Sequence, residues 1–323
     1  MCTSISFKTK DHYFGRNLDL EYSYNEAVTI TPRNYPFHFR EAKTFRNHYA
    51  IIGMATIANN YPLYYDATNE YGLSIAGLNF PGNAVYHPTA DGKENIASFE
   101  LIPWILVQCK TVHEAQKLLS KINITDNQFN SAYSPTPLHF MISDRNETIV
   151  AEPTENGVQI YENAVGVLTN NPPFPYHMYN LCNYLNITSC EPTNRFSEKI
   201  ELTPYSRGIG GIGLPGDLSS ASRFVRAAFT KLNSVCGSSE VESVNQFFHI
   251  LNAVSQTKGC AQVGNKYEFT LYSSCCNTDK GVYYYKSYNN SQLTAVDMRR
   301  ESLDGDKLIS YLLRTDGKVY CEN

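Results

Sequence analysis

The chain carries little charge: 18% of its 323 residues are Asp, Glu, Lys or Arg, and the formal net charge is −4. Without a basic surplus it lacks the electrostatic footprint of a nucleic-acid-binding protein, so no nucleic acid is expected as a partner. No apolar run approaches the roughly 18–20 residues that a membrane-spanning helix needs, and no membrane partner is expected either. Nor does the start read as a secretory leader, because Lys8 and Lys10 interrupt the only early apolar stretch. Nine cysteines are an odd number with no C-x-x-C spacing, and eight histidines show no H-x-x-x-H spacing. A zinc site, a disulfide framework and a histidine-based dyad are therefore not expected, and no metal or other cofactor is assigned. Unpaired thiols suit a reducing cytoplasm. Repeats, low-complexity tracts and linkers are also missing, so residues 1–323 read as one domain.

What is present is a hydrophobic fraction of 42% and 24 tyrosines, ample material for a core. The most informative stretch is the first nineteen residues. Cys2 follows a methionine that can be trimmed from a small side chain, and the trimming expected here leaves a thiol and a free α-amine on one residue. The amine titrates near pH 8 and a thiol near 8.5 in unperturbed peptides, so the amine can accept the thiol proton without help from histidine. Arg16 and Asp19 follow closely. If residues 3–7 and 13–17 pair as a hairpin, both return beside Cys2, a cation where a thiolate would form and a carboxylate to hold the amine. A cysteine in second place is otherwise an ordinary small hydrophobe. The alternating apolar run that starts at once ties it into a sheet.

Strand patterns follow at Ala27–Thr31, Ala50–Thr56, Leu63–Asp66 and Leu73–Ala76, broken by Asp, Asn, Pro and Gly. Ser98–Cys109 reads as an apolar helix with Pro103 in its first turn or at a kink. Thr111 to Glu114 reads as a capping box opening a second helix through Ile122. Strands return at Leu138–Ser143, Thr148–Glu152, Val158–Tyr161 and Ala164–Leu168, then a helix at 176–185. The run Gly208–Gly216 has no Lys-Ser/Thr and no βαβ frame, so it reads as a tight loop rather than a phosphate cradle. Helices are expected from Ser219 or Ser220 to Leu232 and over Val241–Val254, with four strands closing the chain at 267–273, 281–286, 292–297 and 308–313. This order suggests stacked sheets covered by helices.

Met-Cys-Thr at 1–3, Tyr-Phe-Gly-Arg-Asn-Leu-Asp at 13–19, Asn-Glu at 69–70, Ala-Gly-Leu-Asn-Phe-Pro-Gly at 76–82, Leu-Thr-Asn-Asn-Pro at 168–172 and Ser-Arg-Phe at 222–224 resemble the choloylglycine hydrolase family, which contains bile salt hydrolases and penicillin V acylases. The resemblance runs over essentially the whole chain and is nearest to the bile salt hydrolases. It implies an α+β fold, a four-layer αββα sandwich of two antiparallel sheets flanked by helices, as in N-terminal nucleophile (Ntn) hydrolases. It implies Cys2, Arg16, Asp19, Asn79, Asn170 and Arg223 as catalytic residues. Asn79 and Asn170 each end a strand-like run before a proline turn, where an amide could serve an oxyanion hole; Arg226, on nearly the same helix face as Arg223, reads as solvated surface. The substrates implied are glycine- and taurine-conjugated bile salts, and Leu20, Tyr24, Tyr65 and Leu138 are candidates to line the steroid pocket. Family members are commonly homotetramers, and the same is expected here. Competing readings are a penicillin V acylase and a non-catalytic homologue that binds hydrophobic ligands.

Overall fold

The computed structural model describes residues 1–323. It opens with a hairpin of β1 (Cys2–Lys8) and β2 (His12–Leu20), which pairs Cys2 with Leu18 and Ser4 with Arg16. The strands β3 (Ala27–Thr31), β4 (Ile51–Ala58), β5 (Tyr61–Asn69) and β6 (Ser74–Asn79) follow as an antiparallel run. Then come β7 (Glu94–Ala97), the helices α1 (Leu101–Leu106) and α2 (Val112–Leu119), and β8 (Ile122–Thr125), which pairs with β7 in parallel. The middle of the chain supplies β9 (Leu138–Ser143), β10 (Thr148–Thr154), β11 (Gly157–Glu162), β12 (Val167–Leu168) and α3 (Phe174–Asn180). The last third contains α4 (Ser220–Leu232), α5 (Glu240–Asn252), β13 (Ala261–Val263), β14 (Lys266–Asn277), β15 (Val282–Ser287), β16 (Asn290–Asp297) and β17 (Ile309–Leu312).

Two large sheets result. One has the order β12-β1-β2-β14-β15-β16, with β13 attached to β14; the other runs β11-β10-β9-β6-β5-β4-β3-β17. One core lies between the sheets and continues under α4 and α5, joining Ile5, Leu18, Met54, Leu78 and Met141 to Phe224 and Phe247. A second core packs α1 and α2 on the outer face of the other sheet, through Leu101, Trp104, Ile105, Val112 and Leu119 against Ile51, Ile75, Phe140 and Ile142. The layers are helix, sheet, sheet, helix, as the resemblance implies.

The hairpin is held in the middle of its sheet because β2 lies hard against β14. A Cβ at Gly15 would sit 2.1 Å from the Ser274 carbonyl oxygen, so no side chain fits there. The helix starts match the sequence pattern: Thr111 Oγ1 accepts from the Glu114 N–H, and Ser219 and Ser239 cap α4 and α5 in the same way. Three helix expectations need correction. The second helix stops at Leu119 rather than Ile122, since Ile122 is taken by the ladder to β7. The Ser98–Cys109 helix is shorter, a 3₁₀ turn at Ser98–Glu100 followed by α1 with Pro103 in its first turn. The helix expected over 176–185 begins earlier and ends in a 3₁₀ turn at Leu181–Tyr184.

Candidate active site

Alternation along the hairpin distributes the first nineteen residues between two faces. Cys2, Ser4, Arg16 and Leu18 share one face through their pairing, and Thr3, Asn17 and Asp19 share the other. Cys2, Arg16 and Leu18 line a cavity of about 490 Å³ between the sheets. Leu20, Tyr24, Tyr65, Gly77, Asn79 and Leu138 line it as well, and Phe99, Phe129, Tyr133 and Pro137 complete its wall. A larger concavity of about 920 Å³ lies over β15 and β16, lined by Glu240, Lys280, Arg299 and Arg300 and containing no cysteine. Chemistry, not size, singles out the first.

Arg16 is fully buried, and its Nη1 donates to the carbonyl oxygens of Gly77 at 2.5 Å and Tyr65 at 3.0 Å. Burial opposes its charge, but Cys2, Tyr272, Asp66 and Asp19 outweigh that cost and hold the guanidinium above its ordinary pKa. Asp66 is in turn the acceptor for Tyr272 Oη at 2.8 Å, Tyr283 Oη at 2.7 Å and Ser274 Oγ at 3.2 Å. The cation at the cavity floor thus sits near a buried, hydrogen-bonded carboxylate that no sequence pattern announced.

Asp19 lies on the other face. Thr270 Oγ1 donates to its Oδ1 at 2.6 Å, while Oδ2 is buried without a partner. Burial raises its pKa, and Arg223, the chain's N-terminal ammonium, the Thr270 bond and Arg16 act in the opposite direction. With Met1 in place, the N-terminal ammonium donates to the Asp19 carbonyl oxygen at 3.1 Å and pairs with Glu268. Burial lowers the pKa of that ammonium.

Asn170 and Arg223 close the site from the far edge of β1. The Cys2 N–H donates to Asn170 Oδ1 at 2.7 Å, and Arg223 Nη2 donates to the same oxygen at 2.8 Å. Arg223 Nη1 reaches the Cys2 carbonyl oxygen at 2.5 Å and Thr3 Oγ1 at 2.7 Å. Asn170 Nδ2 donates to the Asn79 carbonyl oxygen at 2.7 Å, which ties the two asparagine loops together across the sheets. Asn79 is among the residues that line the cavity with Cys2. The structure thus brings Arg16, Asp19, Asn79, Asn170 and Arg223 around Cys2, and the four pocket candidates are among the residues that line the cavity. Arg226 corrects the surface reading: it is half-buried and braces the chain by donating to the carbonyl oxygens of Ala253 at 2.7 Å, Pro215 at 2.8 Å and Asp217 at 3.0 Å. The spacing of Arg223 and Arg226 gave no sign of it, since all three acceptors lie outside α4. No group of three or more His, Cys, Asp or Glu side chains is arranged to hold a metal ion.

A cysteine at the first position of a sandwich strand, its backbone nitrogen fixed by an amide oxygen and its carbonyl by an arginine, is the arrangement that amide hydrolysis by an N-terminal nucleophile requires. Residues 2–311 match the model of the linear amide C–N hydrolases, choloylglycine hydrolase family, and the chain belongs to that family. It is 54% identical, over 100% of both chains, to a bile salt hydrolase/transferase of Lactiplantibacillus plantarum. Its structure resembles the crystal structure of the C2A mutant of conjugated bile acid hydrolase from Clostridium perfringens, with a TM-score of 0.92, 35% identity and 100% of both chains covered. The fold is also that of a penicillin V acylase from Agrobacterium tumefaciens, with a TM-score of 0.74 at 19% identity over 96% of this chain and 90% of that one.

Proposed function

We propose that the chain hydrolyses conjugated bile salts, cleaving the amide between the bile acid and glycine or taurine. The observation that carries the reading is Cys2 at the floor of an apolar cavity of about 490 Å³, flanked by Arg16 and Asn79, in a chain 54% identical to a bile salt hydrolase/transferase. Removal of Met1 frees the Cys2 amine, whose nitrogen is already directed at Asn170 Oδ1. The amine takes the thiol proton as sulfur attacks the scissile carbonyl, then returns it to the departing glycine or taurine nitrogen. Water hydrolyses the thioester and releases the bile acid. The Asn79 amide suits the oxyanion, and the unpartnered Asp19 Oδ2 suits the freed amine. Leu20, Tyr24, Tyr65 and Leu138 take the steroid, Leu20 and Leu138 by apolar contact and the tyrosines by ring faces.

The reading extends to a homotetramer in the cytoplasm. Nine cysteines without a disulfide support a reducing compartment, and exposed Leu185, Phe196, Tyr205 and Ile212 between α3 and α4 offer an apolar surface for association.

Purified, processed enzyme assayed side by side on glycocholate, taurocholate and penicillin V tests the proposal. We expect kcat/KM for the bile salts to exceed that for penicillin V at least about tenfold, roughly 1.4 kcal/mol of differential transition-state binding. Comparable or faster penicillin V cleavage would transfer the assignment to the acylases. No cleavage of any of the three would support the non-catalytic reading.

A further inference from the structure

Asn170 is the residue on which Cys2 and Arg223 converge, yet it sits in a turn between β12 and α3. Such a turn does not hold a side chain to a few tenths of an ångström by itself. Its neighbours do so. The Asn170 N–H donates to Ser220 Oγ at 2.8 Å, and Ser220 Oγ and Thr169 Oγ1 are 2.9 Å apart. The two carbonyl oxygens of the segment, those of Thr169 and Asn170, each face an imidazole nitrogen at 2.9 Å, from His139 Nε2 and His177 Nε2 respectively.

His139 is the unusual member. It lies on β9, wholly buried, with Nδ1 3.1 Å from Oε1 of the equally buried Glu152 on β10. The same Oε1 accepts the Phe174 N–H at 2.9 Å, at the start of α3. Both ring nitrogens of His139 therefore face acceptors, a carbonyl and a carboxylate oxygen. A neutral ring carries one N–H and can donate to only one of the two, so His139 and Glu152 are satisfied as a pair. The ring also stacks on Phe80 at 4.2 Å and 8°, and Phe80 directly follows Asn79. One buried pair thus touches the Thr169 carbonyl beside Asn170, the Phe80 ring beside Asn79 and the start of α3.

We infer that His139 and Glu152 are positioning residues for the reaction: through the Thr169 carbonyl and the Phe80 ring they fix Asn170 and Asn79 around Cys2. Neither touches the cavity, and neither is the thiol's base. The inference rests on the assignment of Asn170 to the active site. A purely structural pair would change stability and leave the kinetic constants of the folded fraction alone. A positioning pair changes kcat, because a displacement near 1 Å of a catalytic group costs about a hundredfold, while the cavity that sets KM is untouched.

The test compares processed wild type, His139→Gln, Glu152→Gln and Asn170→Ala on glycocholate, with thermal unfolding recorded for each and rates normalised to folded protein. The expected result is kcat about 10- to 100-fold lower in both glutamine variants, with KM within about threefold of wild type. Glu152→Gln keeps the acceptor for Phe174, so it serves as the readout if His139→Gln does not fold. Wild-type kcat in a folded glutamine variant, with Asn170→Ala inactive, would overturn the positioning role. Full activity in Asn170→Ala would instead overturn the assignment beneath it, and the inference with it.

Discussion

Arg223, fully buried on α4, donates to the carbonyl oxygen of Cys2 at 2.5 Å across 221 residues of sequence. Burial lowers the pKa of this arginine, and the charges of Asp19 and Cys2 favour its cationic form. The contact fixes the peptide that immediately follows the nucleophile, and the same guanidinium shares Asn170 Oδ1 with the Cys2 nitrogen. Arg223→Ala takes this donor from the Cys2 carbonyl and leaves Asn170 Oδ1 with the Cys2 N–H alone, and is expected to lower kcat at least about a hundredfold. Arg226→Ala is expected to leave kcat near wild type and to lower stability by about 1.5–3 kcal/mol, since it removes a charged brace on three carbonyls. Steady-state kinetics with thermal unfolding separates the two.

Asn79 differs from Asn170 in being among the residues that line the cavity, with its backbone carbonyl receiving Asn170 Nδ2. If it donates to the oxyanion, Asn79→Ala costs about 2.7–4 kcal/mol in the transition state, a 10²–10³-fold fall in kcat. The KM for glycocholate should move far less. A rise in KM at unchanged kcat would make Asn79 a ground-state binding residue.

Two buried histidines set a pH limit on stability. Burial lowers His12 and His177 from 6.5 to about 4, outweighing the carboxylates near each. The unfolded chain takes up these two protons below pH 6.5 and the folded chain only near pH 4. Their stabilisation is therefore complete above 6.5 and is lost as pH falls through the 6.5–4 window, by roughly 3 kcal/mol each. Denaturant midpoints should fall across that window, and His177→Asn should flatten the dependence. An unchanged slope would show that His177 does not titrate on unfolding.

Much of this was legible in sequence because it rests on local pattern. The alternating runs at 3–7 and 13–17 define the hairpin, and the hairpin alone returns Arg16 to the face of Cys2 and Asp19 to the edge beside it. The caps at Thr111, Ser219 and Ser239 are likewise local. Long-range burial is where the pattern stops. Ile122 is drawn from a helix into the β7 ladder, Arg226 finds three carbonyls on two other segments, and Asp66 gains its hydroxyl partners from β14 and β15. The pairing of His139 with Glu152, thirteen residues apart across β9 and β10, is likewise long-range, and no helical spacing could reveal it.

Cys2→Ala should fold with little loss of stability, since it removes one sulfur from a well-buried site, and should hydrolyse nothing. Cys2→Ser should be nearly as inactive, because the alcohol is much harder to ionise than the thiol. Glycine release from glycocholate measures both. Substantial turnover by Cys2→Ala would place the nucleophile elsewhere.

The central claim is that Cys2 works with its own α-amine, which Met1 blocks as an amide. Its most direct test is glycine release from glycocholate by two forms of the same protein, Met1 retained and Met1 removed, each verified by intact mass and by equal thermal stability. The account predicts turnover only in the form that lacks Met1; equal turnover by both would contradict it.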